Sequence, residues 1–169
     1  MKNKITCLLI DEQPDQRIQF YLALDLLKVN RACVCHDNSF DALAYLKQHS
    51  GFEPDYIFIS SEVPKAHAEL FIKHIRKIGR LEQAPVILLL SGTAAYSLAE
   101  VSGMGFTDCM VKQRDIYFLR DALRMIFEKS YQFAVPAEEA RAVVNSLSLR
   151  IKEVAPHTGA PEAPRRLSA

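Results

Sequence analysis

Asp55-Tyr56-Ile57-Phe58-Ile59-Ser60-Ser61-Glu62-Val63-Pro64 is the stretch on which the fold turns. Its apolar run, Tyr56 to Ile59, is short, aromatic and β-branched, and ends in a polar tip and a proline. That is the pattern of a strand buried on both faces of a parallel sheet. In an open parallel sheet, ligands and chemistry gather just beyond the carboxyl ends of the strands. Ser60, Ser61 and Glu62 therefore stand where a site is expected.

Four further apolar runs flank this one. Ile5 to Ile10 ends in Asp11-Glu12, Ala32 to Cys35 is weaker, Val86 to Leu90 ends in Ser91-Gly92-Thr93, and Phe106 to Val111 ends in Lys112. Helical patterns separate them. Pro14 opens a helix with Ile18, Tyr21, Leu22 and Leu26 on its apolar face, and Asn38 or Ser39 caps a second that carries Phe40, Leu43 and Ala44. A third follows Pro64 with Leu70, Phe71, His74, Ile75 and Ile78, ended by Gly79. A short fourth spans Ala94 to Val101, and Asp115 caps a fifth with Ile116, Leu119, Leu123 and Ile126 on one face. Five strands alternating with five helices predict a doubly wound five-stranded parallel α/β sheet, with right-handed crossovers. Asp11, Glu12, Ser60, Ser91 and Lys112 then share one edge of that sheet.

The 169 residues suit one domain with an appendage. The 49% hydrophobic and 24% charged content is that of an ordinary soluble protein. A net charge of +1 favours neither nucleic acid nor an anionic membrane. The apolar residues before Asp11 are too few for a signal h-region, and no run reaches the roughly 20 residues of a membrane span, so a cytoplasmic protein is expected. Cys7, Cys33, Cys35 and Cys109 lie in or beside strand-like runs and read as small buried hydrophobes in a reducing compartment. No second pair follows Cys33-x-Cys35-His36 at the spacing of a metal finger.

The pattern changes after about residue 130. Pro136, Glu138 and Glu139 suit the start of a helix, and Ala140, Val144, Leu147, Ile151 and Val154 form a seam of about two heptads. Two readings stand: an amphipathic helix folded on its own domain, or an intermolecular seam. From Ala155 onward the proline-rich composition reads as a disordered tail. The expected divisions are thus a domain over 1–130, a helix within 131–154 and a tail over 155–169.

Between Ile5 and Phe127 the chain resembles the receiver (chemotaxis-regulator-like) domain of two-component response regulators. The resemblance rests on Leu8-Leu9-Ile10-Asp11-Glu12, Pro54-Asp55-Tyr56-Ile57-Phe58-Ile59 followed by Pro64, Pro85-Val86-Ile87, and Gly105-Phe106-Thr107-Asp108-Cys109-Met110-Val111-Lys112. It implies a flavodoxin-like sheet of order 2-1-3-4-5. In that family an acidic pair after the first strand holds Mg²⁺, and an aspartate after the third accepts phosphate from a histidine kinase. A Thr or Ser after the fourth strand contacts the phosphoryl group, and a Lys after the fifth pairs with it. Asp11, Glu12 and Lys112 match these positions.

The phosphoacceptor position is Ser60. A serine hydroxyl has a far higher pKa than a carboxylate, no adjacent base is evident, and its ester would be stable where an acyl phosphate is labile. Asp55 lies on the order of 13 Å away along the strand, at the wrong edge. Glu62 is closer but reads as solvated. The family's hydroxyl position falls on Leu90, or on Ser91 with a slip of one residue. Its switch aromatic is Cys109, and the proline after its lysine is Gln113. Together these departures imply a degenerate pseudo-receiver. Without the acceptor carboxylate, Lys112 is expected to pair with Asp11 or Glu12, and Mg²⁺ at Asp11 and Glu12 is expected to be weak or absent.

The expected function is a non-enzymatic, non-phosphorylatable interaction module of bacterial two-component signalling. Its partner would be a histidine kinase, another signalling protein or a second copy of the chain. The resemblance puts the partner face on Tyr96, Cys109, Tyr117, Arg120 and Arg124, residue types that suit interface anchors. The alternative is a phospho-accepting single-domain regulator with an unrecognised acceptor. No helix-turn-helix follows the domain, and Arg165-Arg166 is a weak basic signal, so DNA binding is not expected.

Overall fold

The computed structural model describes residues 4–131 with the exception of 93, and within them the five apolar runs pair into one parallel sheet. The strands are β1 (Ile5–Ile10), β2 (Asn30–His36), β3 (Tyr56–Ser60), β4 (Val86–Leu90) and β5 (Asp108–Val111), in the order β2-β1-β3-β4-β5. The helices are α1 (Pro14–Leu26), α2 (Ser39–Gln48), α3 (Lys65–Ile75), α4 (Leu98–Gly103) and α5 (Ile116–Glu128). The doubly wound α/β architecture and flavodoxin-like order read from the sequence are those observed. The helix read at 136–154 and the tail from 155 lie outside the described residues.

Cys7 to Ile10 of β1 and Ile57 to Ser60 of β3 are all buried, as continuous apolar strands in the middle of a parallel sheet should be. Alternate residues of each strand feed two cores. Leu8, Ile10, Ile57, Ile59 and Leu88 pack with Leu46 of α2 and Phe71, Ile72 and Ile75 of α3 on one side. Leu9, Phe58, Ile87, Leu89 and Met110 pack with Phe20 and Leu24 of α1 and Leu119, Leu123 and Ile126 of α5 on the other. Phe58 lies at the centre of the second core, its ring edge-on to Phe20 at 4.9 Å.

Several expected helix faces and limits are corrected. Ile18, Tyr21, Leu22 and Leu26 stand exposed on α1, which instead buries Phe20, Ala23 and Leu24. Apolar side chains surround α1, so periodicity alone does not select its inward stripe. α2 buries Ala42 and Leu46 and exposes Phe40 and Ala44, and Leu70 of α3 is likewise exposed. α3 ends at Ile75, and a 3-10 turn follows over Gly79–Leu81. α4 begins at Leu98 and not near Ala94. Ser97 and Glu100 close a capping box, in which the Ser97 hydroxyl accepts from the Glu100 N–H and the Glu100 carboxylate from the Ser97 N–H. Phe106 is buried but precedes β5.

α5 follows expectation: Leu119, Leu123 and Ile126 are buried, and Asp115 caps it by accepting from the N–H groups of Tyr117 and Phe118. Such a cap is worth about 1 kcal/mol.

Candidate functional site

In a parallel sheet every strand ends at the same edge, so β1, β3 and β5 deliver Asp11, Ser60 and Lys112 to one crevice. The last ladder pairs, Ile10 with Ile59 and Ser60 with Leu89, hold those tips level.

The site is built around Lys112. Its Nζ lies 2.7 Å from Asp11 Oδ2 and 3.2 Å from Glu62 Oε2. Asp11 is buried and Lys112 is only 12% exposed, so the charges meet largely out of water, where unpaired carboxylate or ammonium would be costly. The other Asp11 carboxylate oxygen accepts the Gln13 N–H at 3.0 Å, and Arg17 donates to the Asp11 carbonyl at 2.6 Å.

Glu62 was expected in solvent, and the structure turns it inward. The turn after β3 is fastened by the Val63 N–H on the Ser60 carbonyl and by the Glu62 N–H on Ser60 Oγ. This brings the Glu62 carboxylate back over the strand tip, where it accepts from Ser60 Oγ at 3.4 Å, Gln13 Nε2 at 3.0 Å and Lys112. Ser60 itself is fully buried. Of the alternatives read for the lysine, the structure selects Asp11; Glu12 is exposed. Ser91 engages Ser61, their hydroxyls lying 3.2 Å apart while the Ser91 N–H donates to Ser61 Oγ at 2.9 Å.

Asp55 sits at the opposite edge of the sheet, where its carboxylate accepts the Thr6 N–H at 2.9 Å.

A hard divalent cation seeks several free oxygen ligands, chiefly carboxylates. Asp11 and Glu62 are bridged by an ammonium, Glu12 is exposed, and residue 60 is a hydroxyl. These residues do not fit the Mg²⁺ centre that the fold suggests. Among the described residues no three His, Cys, Asp or Glu side chains are grouped as a metal site. The recess beside Asp11 and Lys112, lined also by Gln16 and Phe20, measures about 10 Å³, roughly the room for one water.

The five residues read as a partner face are divided between the two sides of the sheet. Tyr117, Arg120 and Arg124 gather on α5. Arg120 lies over the Tyr117 ring at 5.3 Å, and both arginines pair with Asp121. Tyr96 and Cys109 pack on the core at the other side of the sheet, and Lys65 Nζ stands 4.5 Å from the centre of the Tyr96 ring while pairing with Glu100. Burial, foremost, raises the Tyr96 phenol and the Cys109 thiol above their ordinary pKa values. The large apolar side chains exposed beside these residues are Val111, Phe118 and Met125.

A five-stranded parallel sheet of this order, with acid and lysine meeting at the strand tips, defines an open α/β fold of the receiver class. Solved structures share it. The chain is similar to a response regulator from Hahella chejuensis, at 17% identity and a TM-score of 0.63 over 78% of this chain and 100% of that one. It is also similar to the chemotaxis response regulator CheY4 of Vibrio cholerae, at 19% identity and a TM-score of 0.60 over 73% and 98%. The phosphorylated cyanobacterial phytochrome response regulator RcpA matches at 19% and 0.62, over 74% and 92%. The likeness is one of fold: this chain has the receiver fold of response regulators. No protein-family model and no curated protein matches its sequence.

Proposed function

We propose that this chain is a non-enzymatic receiver-fold module of two-component signalling that binds a protein partner without accepting a phosphoryl group. The carrying observation is Lys112 closed onto Asp11 and Glu62 beside a serine at position 60. A phosphoryl acceptor needs a nucleophile, and the Ser60 hydroxyl donates to a carboxylate already held by a lysine, which blunts that carboxylate as a base. The lysine that would stabilise the transferred group is itself occupied. The pocket is thereby held in one state, as a constitutive interaction module requires.

Exposed Ile18, Leu22 and Leu26 on α1, and Phe118 and Met125 on α5, support protein binding, since grouped apolar surface marks interaction sites. The partner would be a histidine kinase, another signalling protein or a second copy of the chain.

A specific observation keeps a second reading in play: Glu62 brings a carboxylate to within 3.2 Å of Lys112, beside the acceptor position. Intact mass after incubation with acetyl phosphate and Mg²⁺, with a Ser60→Asp variant alongside, separates the two. An unchanged mass for the native chain is expected. A stoichiometric phosphoryl adduct that disappears in Glu62→Gln would overturn the proposal and make Glu62 the acceptor.

A further inference from the structure

Among the described residues β2 is an edge strand, paired with β1. Cys33 and Cys35 lie two apart on it and so share one face of the pleat. Their sulfurs are 3.7 Å apart in a thiol hydrogen bond, and both residues are half-buried against the α1 side of the sheet. Residues two apart on a strand have Cα atoms about 6.6 Å apart, within the range of roughly 4.4–6.8 Å that disulfides span. A disulfide also needs Cβ atoms about 3.8 Å apart, so closing the 3.7 Å between the sulfurs requires β2 to bend locally, which its place at the edge of the sheet among the described residues permits.

The pair is also asymmetric. The hydrogen bond with Cys33 holds the Cys35 thiol below its ordinary pKa, with Arg17 acting in the same direction and burial opposing. The same bond, with burial behind it, pushes the Cys33 thiol upward. This direction favours Cys35 as the attacking thiolate, while either sulfur can donate in the resting hydrogen bond. The other two cysteines provide contrasts. Cys7, beside Cys33 on β1, is fully buried. Cys109 is half-buried at the far edge of the sheet, its thiol raised by burial and then by Asp108.

We propose that Cys33 and Cys35 form a peroxide-responsive dithiol that closes reversibly to an intrachain disulfide. The Cys35 thiolate attacks one peroxide oxygen. The O–O bond breaks, an S–O bond forms, and the departing oxygen leaves as water after protonation. Cys35 sulfur, having lost two electrons, is then a sulfenic acid. Cys33 sulfur attacks it, the S–S bond forms, the S–O bond breaks, and the hydroxyl leaves with the Cys33 proton as a second water. The balance is two thiols and one hydrogen peroxide giving one disulfide and two waters.

The test uses the full chain in native buffer. It is exposed to hydrogen peroxide, quenched, denatured and alkylated, and its mass and tryptic peptides are measured. The expected result is loss of two of the four alkylatable thiols, with two hydrogens missing from the single peptide over residues 32–47 and recovered on reduction. The pair should react about tenfold faster than Cys109, as an activated thiolate does beside a raised thiol. In Cys33→Ser, dimedone should trap a sulfenic acid on Cys35; in Cys35→Ser, the remaining Cys33 should oxidise no faster than Cys109. Oxidation of Cys109 at the same rate as the pair in the native chain would overturn the proposal. So would disulfides between chains, or stepwise gain of oxygen at residues 32–47 without the loss of two hydrogens.

Discussion

Lys112 Nζ and Asp11 Oδ2 meet at 2.7 Å although β5 and β1 are separated in the sheet by β4 and β3. The ion pair thus ties the two ends of the crevice together, and Asp11 is only 1% exposed. Removing one member of a largely buried pair strands the other, at a cost of about 3 kcal/mol or more. Lys112→Met is therefore expected to lose about that much in urea unfolding, and Asp11→Asn combined with Lys112→Met less than the sum of the two single changes. Additive losses would show that the two charges do not support each other.

Ser60→Asp adds a third carboxylate to a buried tip that has one lysine for two acids. Without divalent cations the variant should be less stable than the native chain by about 1–3 kcal/mol, the cost of an imperfectly satisfied buried charge. Mg²⁺ should raise the Tm of the variant in a concentration-dependent way and leave the native Tm unchanged. An equal rise in both would mean that the native pocket already takes the cation. Differential scanning fluorimetry across a Mg²⁺ series reads the outcome.

Tyr131 donates its phenol to Asp108 Oδ2 at 2.9 Å, and burial, with Asp108 adding to it, pushes the phenol well above its ordinary value. Tyr56 beside it is raised too, by burial and then by Asp55. The folded state keeps these phenols protonated where the unfolded chain releases protons. Their contribution is complete below the unfolded value of 10.0 and is lost as pH rises above it. Stability should fall steeply on the alkaline side. Tyr131→Phe should flatten that limb while losing about 1 kcal/mol at neutral pH, as unfolding from pH 8 to 11 would reveal.

Gly105 has φ +89°, and an added Cβ would stand 3.0 Å from Ile72 Cγ2. Gly105→Ala combines a left-handed backbone with a tight contact on a buried core side chain, and should cost about 1–2 kcal/mol. Gly103, where an added Cβ would meet nothing within 4 Å, is the paired control for the same turn.

Much of this was legible in the chain. A strand buried on both faces has to be apolar without interruption, so Leu8 to Ile10, Ile57 to Ile59 and Val86 to Leu89 announce themselves. The residue following such a run must leave the sheet at its carboxyl edge, which is why Asp11, Ser60 and Lys112 could be assigned to one crevice. The inward face of α5 was readable too, because Leu119, Leu123 and Ile126 recur at helical spacing behind the Asp115 cap, although Phe118 and Met125 lie exposed off that stripe.

α1 was not readable, because Ile18 and Leu22 are as apolar as Phe20 and Leu24. Only the path of the chain from β1 over the sheet to β2 settled which stripe turns inward. The inward turn of Glu62 was hidden for a similar reason. Its partners Gln13 and Lys112 lie 49 and 50 residues away, and whether a residue two beyond a strand end faces the crevice or solvent depends on a turn whose geometry those distant donors reward. The sequence by itself determined the parallel sheet and the chemistry that its carboxyl edge must carry, because both follow from local hydrophobicity and chain direction. Tertiary structure decided which carboxylates the lysine holds and which apolar stripes are left in solvent, because these depend on groups that only folding brings within reach.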